Sequence, residues 1–261
     1  MNVLITGCAS GIGKEVASFL LEKNINVYGL DVNKIEDSRI KSFSCDVSNT
    51  SSLLEVHDKL KEDNVIFDAI INIAGIFIID SFIEVDENSL KRIFDINLMG
   101  TINVNKIFFD LLKEKGRILI TTSEVAPLDP LPFNGIYNVT KTALDSYAQA
   151  LRQELNLLGY KVITIRPGAF KTDLSMGSLT KTKDLMQKTI LYKKQSKKFY
   201  TLVSKFMGTP KAARKMSKTY YKALTKKKPK IVYKKNINHM MSLLSLLPLS
   251  LQCFIIKLLL K

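Results

Sequence analysis

A glycine-rich turn near the start of the chain constrains the fold more than any other feature. Residues 6–13, TGCASGIG, follow a short apolar run and open a stretch with helical periodicity. Glycines allow a tight turn, let the backbone approach a pyrophosphate closely and let the helix pack against the strand. The helix start adds unpaired N–H groups and a favourable dipole for an anion. The turn therefore predicts a dinucleotide site that includes Gly7, Ser10, Gly11, Ile12 and Gly13.

The first 170 residues alternate short apolar runs with longer stretches of helical periodicity, which is typical of repeated βα units. We predict strands at Asn2–Thr6, Asn26–Leu30, Lys41–Cys45, Phe67–Ile73, Gly116–Thr122 and Lys161–Arg166. Helices are expected at about 11–23, 50–63, 86–113 and 135–158, on both faces of the sheet. The pattern predicts an α/β fold with a doubly wound, Rossmann-type parallel sheet in a single domain.

Charge divides the chain into two unequal parts. Residues 1–170 hold 17 Lys+Arg against 22 Asp+Glu, whereas residues 171–261 hold 22 against 2. We interpret residues 1–172 as the cofactor-binding and catalytic core, 173–235 as a basic substrate lid without a strong strand, and 236–261 as an apolar helical tail. The basic part suggests an acidic partner such as membrane phospholipid, a phosphorylated carrier or substrate, or nucleic acid; a plainly solvated lysine surface is the alternative.

The tail, 242–261, carries Leu or Ile at most positions, but Pro248, Gln252 and Lys257 interrupt the run. The tail therefore lacks the unbroken apolar stretch of about 20 residues that a bilayer span needs. Three interpretations stay open: a core-facing helix, a dimer element, or a helix lying in a membrane interface.

Cysteine and histidine usage points to a reducing compartment without a metal site. Cys8, Cys45 and Cys253 are widely spaced and form no CxxC pair, and His57 and His239 have no partner at metal-ligand spacing. The start of the chain has no basic region followed by a long apolar stretch. We therefore expect a cytoplasmic protein.

Cofactor choice is predicted from the end of the second strand. Asp31 follows Gly13 by eighteen residues, where a carboxylate can accept hydrogen bonds from the adenosine ribose and would repel a 2′-phosphate. NAD(H) is therefore favoured. Lys14, a cation beside the turn, keeps NADP(H) as the alternative.

Tyr137 and Lys141 stand four positions apart in a predicted helix, so both side chains share one face. A tyrosine with a pKa of about 10 is a poor acid or base at neutral pH, but a nearby cation favours the phenolate. We expect Lys141 to lower the pKa of Tyr137, and Tyr137 to exchange a proton with a carbonyl or alcohol oxygen.

Together these features resemble the short-chain dehydrogenase/reductase family over about residues 1–172. The glycine spacing TGxxxGxG, Asp31, the strand end at Ser123 and the YxxxK pair occur in the family's order. The resemblance implies that Ser123 hydrogen-bonds the substrate oxygen and that Lys141 binds the nicotinamide ribose. Ser123 precedes Tyr137 by fourteen positions, one more than the commonest family spacing, so Thr122 is the alternative.

The resemblance assigns further positions. Asp46 and Val47 would lie at the adenine, and Asn97 would hold a water-linked proton path to the active-site lysine. Asn72, Ala74 and Gly75 match the family's NNAG segment, with Ile73 departing from it. Pro167 and Gly168 would shape the nicotinamide pocket, and Thr172 would reach the carboxamide.

The resulting hypothesis is an oxidoreductase that interconverts a secondary alcohol and a ketone on an apolar, steroid-, retinoid- or acyl-like substrate. The apolar loop Leu128–Phe133 and the tail suggest this substrate class. Two alternatives remain: reduction of a 3-oxoacyl group on a carrier or coenzyme A, and a dinucleotide-sensing or nucleic-acid-binding scaffold without activity. An intact Ser123–Tyr137–Lys141 set argues against the scaffold. The resemblance also implies a homo-dimer or homo-tetramer, and the tail with its basic surroundings suggests peripheral contact with anionic membrane.

Overall fold

A seven-stranded parallel sheet forms the centre of the molecule. The computed structural model describes residues 1–206 and 210–261, without the side chains of residues 173–176 and 206. The sheet order is β3-β2-β1-β4-β5-β6-β9, and every neighbouring pair is parallel. The strands are β1 Asn2–Thr6, β2 Asn26–Asp31, β3 Lys41–Ser44, β4 Phe67–Asn72, β5 Leu112–Thr121, β6 Lys161–Pro167 and β9 Val232–Lys235. The predicted fold class is confirmed.

Helices cover both faces of the sheet. One core cluster lies beneath α2 (Thr50–Glu62), α4 (Thr101–Ile107) and α5 (Gly135–Asn156). The other lies beneath α1 (Gly11–Leu21) and α8 (Arg214–Thr225). The strands β1 and β4 and the last four residues of β5 are almost fully buried and mostly apolar, as strands with helices on both sides must be.

The strand order reverses between β1 and β4, because β2 and β3 extend the sheet one way and β4, β5, β6 and β9 extend it the other way. At such a switch point, the loops that leave the carboxyl ends of neighbouring strands separate and open a crevice. The glycine-rich turn after β1 and the loop after β4 therefore border the same crevice.

The long helix predicted over 86–113 is interrupted. Helix α3, Glu87–Phe94, passes through a π-helical turn, Asp95–Gly100, into α4, and a short 3₁₀ turn, Phe109–Leu111, precedes β5. Strand β5 thus begins at Leu112, four residues before the predicted start. The π-helical turn places an extra residue in the helix, a feature that is frequent at functional sites.

Two elements inside the segment predicted as a lid belong to the core instead. Strand β9 pairs with β6, and α8 buries Met216, Tyr220 and Leu224 against the sheet. The Tyr220 hydroxyl lies 2.7 Å from the Thr121 hydroxyl at the end of β5. Among the described residues, the part that covers the crevice is therefore shorter than predicted.

The cover over the crevice consists of α6 (Asp173–Lys188) and α7 (Lys193–Phe206), with a two-residue ladder between β7 (Phe170–Lys171) and β8 (Lys211–Ala212). The tail forms α9 (His239–Leu244) and α10 (Leu249–Leu260). A satellite apolar cluster joins α6, α7 and α10 to the loops around Ile79 and Phe133. No helix among the described residues is long and apolar enough to cross a bilayer.

Candidate active site

A cavity of about 520 Å³ opens at the carboxyl ends of the strands. This volume falls within the range of small-molecule and cofactor sites. Its described lining includes every residue that the sequence assigned to catalysis or cofactor binding except Asn72 and Asn97, which lie behind it. Gly7 and Tyr137, which are 130 positions apart in the chain, thus line the same cavity.

The glycine-rich turn is shaped so that side chains would fill it. Gly7 has φ +76°, and a Cβ there would lie 2.9 Å from the backbone of Ala74. A Cβ at Gly13 would lie 1.8 Å from the carbonyl oxygen of Gly7. The Thr6 hydroxyl accepts hydrogen bonds of 3.1 Å from the N–H groups of Ile73 and Ala74, which holds the β4 loop beside the turn. The turn therefore leaves a backbone-lined cradle that fits a dinucleotide pyrophosphate.

Carboxylates mark the end of the cavity bordered by β2 and β3. Asp31 accepts 2.9 Å hydrogen bonds from the backbone N–H groups of Ala9 and Asn33. Asp46 accepts a 2.9 Å bond from the N–H of Ser48, and Val47 lies beside it in the wall. The described lining includes Asp31 and does not include Lys14. This arrangement is suited to ribose hydroxyls and unfavourable to a further phosphate.

Tyr137, Ser123 and Lys141 meet at the other end of the cavity. Tyr137 and Lys141 lie one turn apart near the start of α5, and Ser123 follows β5. Ser123 lies close enough to Tyr137 to favour the ionised form of its phenol by hydrogen bonding. The Lys141 ammonium lies 5.8 Å from the centroid of the Tyr137 ring and donates a 3.3 Å hydrogen bond to the carbonyl of Thr121.

Burial dominates the proton affinities of this group. It raises the pKa of Tyr137 to about 12, although the hydrogen bond to Ser123 opposes the change. It lowers the pKa of Lys141 to about 8. The expected lowering of the Tyr137 pKa by Lys141 is not found: desolvation of the phenolate raises this pKa most, the Ser123 hydroxyl opposes the rise, and the negative charge of Glu124 adds to it. Tyr137 holds its proton at neutral pH and can donate it to a bound oxygen.

The hydroxyl of the neighbouring Thr122 makes its hydrogen bond to another residue. Its hydroxyl donates a 3.1 Å hydrogen bond to Asp145, which also accepts a 3.0 Å bond from Arg166. Ser123, one residue further, is the hydroxyl that favours the ionised form of the Tyr137 phenol. The geometry thus favours Ser123 over Thr122 despite the spacing of fourteen positions.

Asn97 and Asn72 support the site from behind. Asn97 lies in the π-helical turn, accepts a 2.7 Å hydrogen bond from the N–H of Ile76, and donates to the Ile76 carbonyl and, at 3.2 Å, to Thr140. Asn72 donates a 2.8 Å bond to the side chain of Asn105. Both asparagines are buried, so they position backbone around the cavity rather than contact its contents.

The Pro167–Gly168 loop closes the cavity near the start of the cover. A Cβ at Gly168 would lie 1.9 Å from the carbonyl oxygen of Asn236, and a Cβ at Gly11 would lie 3.2 Å from Thr172. The N–H of Glu124 donates a 2.9 Å bond to the carbonyl of Pro167. Thr172 therefore lies beside Gly11 of the glycine-rich turn and in the cavity lining, and its contact with the carboxamide stays a prediction.

Two side chains near Tyr137 were missed from the sequence. The Phe77 ring packs edge-on against the Tyr137 ring, with centroids 4.9 Å apart. Lys181 of α6 donates a hydrogen bond to the Phe77 carbonyl, and its ammonium lies 5.4 Å from that ring. Phe77 could have been suspected because it follows Gly75 by two positions. Lys181 lies in a lysine-rich stretch without a distinguishing pattern.

Glu124, beside Ser123, is a further residue that was not assigned to the site from the sequence. Its carboxylate accepts a hydrogen bond from the N–H of Asn238, and burial raises its pKa. Glu124 therefore connects the segment after β5 to the segment that leads into the tail.

Comparison with known proteins agrees with this geometry. A family model described as short chain dehydrogenase matches residues 1–183. The mouse protein named estradiol 17-beta-dehydrogenase 2 is 34% identical over 188 residues, which cover 66% of this chain and 49% of that protein. A Bacteroides thetaiotaomicron protein named 3-ketodihydrosphingosine reductase is 28% identical over 173 residues, 65% of this chain and 64% of that protein. The chain thus spans about half the length of the mouse relative.

Solved structures share the fold. A short chain dehydrogenase family protein from Francisella tularensis has a TM-score of 0.74 and 25% identity, and the match covers 89% of this chain and 96% of that one. A Leptospira borgpetersenii short chain dehydrogenase with bound NAD⁺ has a TM-score of 0.72 at 21% identity, covering 91% of each chain. A protein named ElxO with NADP bound has a TM-score of 0.71 at 21% identity, covering 92% of this chain and 98% of that one. The chain belongs to the short-chain dehydrogenase family.

Proposed function

We propose that this protein is an NAD(P)-dependent oxidoreductase that interconverts a secondary alcohol and a ketone, with Tyr137 as the acid and base. Tyr137, Ser123 and the buried Lys141 line the same cavity as the glycine cradle, and this is the observation that carries the proposal. The bound nicotinamide would supply or accept the hydride.

Each residue of the group has a definite task. Ser123 donates a hydrogen bond to the substrate oxygen and holds it within reach of Tyr137. Tyr137 gives its proton to that oxygen in reduction and takes one from the alcohol in oxidation. Lys141 holds the ribose beside Tyr137. Asn97 positions the Ile76 backbone and the Tyr137 helix, through Thr140, around the reacting groups.

The cofactor is proposed to be NAD(H) rather than NADP(H). Asp31 is held by the N–H groups of Ala9 and Asn33, so its carboxylate cannot easily turn away from the ribose. Structures of the same fold hold NAD⁺ in one case and NADP in another, so the fold itself accommodates both cofactors. The support for NAD(H) is the repulsion between Asp31 and a 2′-phosphate.

The substrate is proposed to be apolar, of a steroid, retinoid or acyl type. Phe77 lies against Tyr137, and Ile73 and Ile76 are also in the cavity lining. Aromatic and aliphatic walls of this kind favour an apolar ligand with few polar groups. The names of the mouse and Bacteroides relatives, a steroid dehydrogenase and a sphingoid reductase, agree with this class.

A 3-oxoacyl group on a carrier or coenzyme A is the second candidate, because the basic residues of 171–261 would attract phosphate. With such a substrate, kcat/KM should fall steeply as salt is added, whereas a neutral steroid substrate would not show this fall. We further expect a homo-dimer or homo-tetramer through the helices that flank the sheet. The free thiols of Cys8, Cys45 and Cys253 support a reducing, cytoplasmic compartment.

The decisive experiment replaces one phenol hydroxyl. Tyr137→Phe should retain NADH binding, measured by cofactor fluorescence, and lose at least about a hundredfold in kcat with hydroxysteroids, retinal or 3-ketoacyl esters. Tyr147→Phe is the matched control, because Tyr147 lies on the same helix and accepts a 3.2 Å hydrogen bond from Asn105 outside the cavity lining. Full turnover in Tyr137→Phe would refute the proposed mechanism. No turnover of any substrate by the wild-type protein, with NADH bound, would favour the scaffold.

A further inference from the structure

Helix α10 has three different sides. Gln252, Ile256 and Leu260, at helical spacing i, i+4 and i+8, face the protein. Gln252 donates 2.8 Å hydrogen bonds to Asp129 and to the carbonyl of Leu247, whereas Ile256 and Leu260 join the satellite cluster under the cover. The helix is therefore anchored along one side only.

A second side of α10 is apolar and exposed. Leu251, Phe254 and Leu258 recur at i, i+3 and i+7 and leave 41%, 62% and 70% of their surfaces exposed. The remaining side carries Ser250, Cys253 and Lys257. An exposed helix in water would normally place its polar side outward, so the apolar side needs another environment.

The exposed apolar surface continues through the turn before α10 and through α9. Leu243 is 65% exposed and Leu246 is 79% exposed. Within residues 240–259, eight large apolar side chains are exposed. Single exposed leucines are ordinary, but such a concentration marks a binding surface. We call Leu243, Leu246, Leu251, Phe254 and Leu258 the tail face.

The neighbourhood of the tail face is strongly positive. Helix α7 packs against α10 through Phe199 in the satellite cluster. Its exposed residues include Lys193, Lys194, Lys197 and Lys198. The sequence has no acidic residue after Asp184. Helix α7 itself carries no acidic residue, and Asp129 lies on the anchored side of α10, where it pairs with Gln252. Exposed apolar side chains beside such a lysine-rich helix match the chemistry of an anionic lipid surface.

We propose that the tail face lies in the interface of an anionic phospholipid membrane, with the α7 lysines at the headgroups. The tail face is too short to cross a bilayer and has the three-sided pattern of a helix lying in the interface plane. A second copy of this chain is a poorer occupant, because a two-fold contact between tail faces would bring two rows of lysines together. The proposal does not depend on the reaction catalysed.

Vesicle flotation of the full chain tests the proposal. The wild-type protein should float with phosphatidylcholine vesicles that contain about 30% phosphatidylserine, and salt should weaken the binding. Phe254→Ser combined with Leu258→Ser should lower the partition coefficient about tenfold or more. The matched control, Leu157→Ser with Leu158→Ser, removes two exposed leucines after α5 and should bind like the wild type.

A charge series separates headgroup contact from net charge. Lys193→Gln, Lys194→Gln and Lys197→Gln together should weaken binding by about fivefold for each lysine in contact with the surface. The control, Lys226→Gln, Lys227→Gln and Lys228→Gln, removes the same charge from the loop after α8 and should bind close to wild type. Retained NADH binding and an unchanged melting temperature verify that each variant is folded.

Three outcomes would overturn the proposal. The first is a wild-type protein that does not float at low salt. The second is an equal loss of binding in the test and control variants, which would indicate nonspecific attraction of a basic protein. The third is a wild-type dimer by light scattering that becomes a monomer in Phe254→Ser with Leu258→Ser, which would assign the tail face to a second copy.

Discussion

Replacing Lys141 by methionine should stabilise the fold and abolish activity. Lys141 is 4% exposed and has no carboxylate partner among the described residues. Its ammonium donates a 3.3 Å hydrogen bond to the Thr121 carbonyl. Methionine keeps the length and helix propensity of the side chain and removes the charge. The cost of burying the ammonium should therefore appear as a gain in stability.

The size and the pH range of this gain follow from the pKa. The ordinary lysine value of 10.5 falls to about 8 in the folded protein, a difference of about 2.5. That difference corresponds to about 3 kcal/mol. The lost hydrogen bond to Thr121 subtracts about 1 kcal/mol, which leaves a net gain of about 2 kcal/mol. Between pH 8 and 10.5 the unfolded state binds more protons, so the penalty is complete below about pH 8 and disappears above about 10.5.

Urea unfolding without cofactor, at pH 7 and at about pH 10.5, measures both quantities. Lys141→Met should exceed the wild type by about 2 kcal/mol at pH 7 and lose this advantage at the higher pH. Lys106→Met, at an exposed position of α4, should change the unfolding free energy by less than about 0.5 kcal/mol at either pH. A Lys141→Met protein that is less stable than wild type at pH 7, or whose advantage does not depend on pH, would refute the reasoning.

Three further predictions concern the cofactor site and the core. Asp31→Ser should shift the ratio of kcat/KM for NADP(H) over NAD(H) upward about tenfold, because the repulsion of a 2′-phosphate is removed; an unchanged ratio would place the selectivity elsewhere. Gly13→Ala should cost about 3 kcal/mol in the unfolding free energy and abolish NADH binding by fluorescence titration, since its Cβ would stand 1.8 Å from the Gly7 carbonyl oxygen. Met216→Ala should lower the unfolding free energy by about 2–5 kcal/mol; a loss below about 1 kcal/mol would mean that α8 belongs to a loosely held cover.

The sequence predicted most of the sheet because buried parallel strands are short, continuous apolar runs. Strand β9, Val232–Lys235, was not predicted, because two of its four residues are lysines, which an edge strand can expose. Helix α8 was not recognised as part of the core for a related reason. Met216, Tyr220 and Leu224 recur every four residues, but the lysines between them made the stretch look like a cover.

The candidate site was predictable where a motif is local. Gly7, Asp31 and Tyr137 each stand in a short segment whose spacing carries its own meaning. Phe77 and Lys181 depend on contacts between segments about a hundred residues apart, which a pattern in the sequence does not encode. The pKa of Tyr137 was not predictable, since it depends on burial and not on the four-residue separation from Lys141.

The π-helical turn links parts of the site that lie far apart in the chain. Asn97 holds the N–H and carbonyl of Ile76 after β4 and donates to Thr140, whose hydroxyl in turn donates a 2.8 Å bond to the Tyr137 carbonyl. Opening the Ile76 segment alone would leave the amide oxygen of the buried Asn97 unpaired, which is costly. The loop beside the cofactor cradle and the start of the Tyr137 helix should therefore unfold as one cooperative unit, with a common protection of their amides against hydrogen exchange.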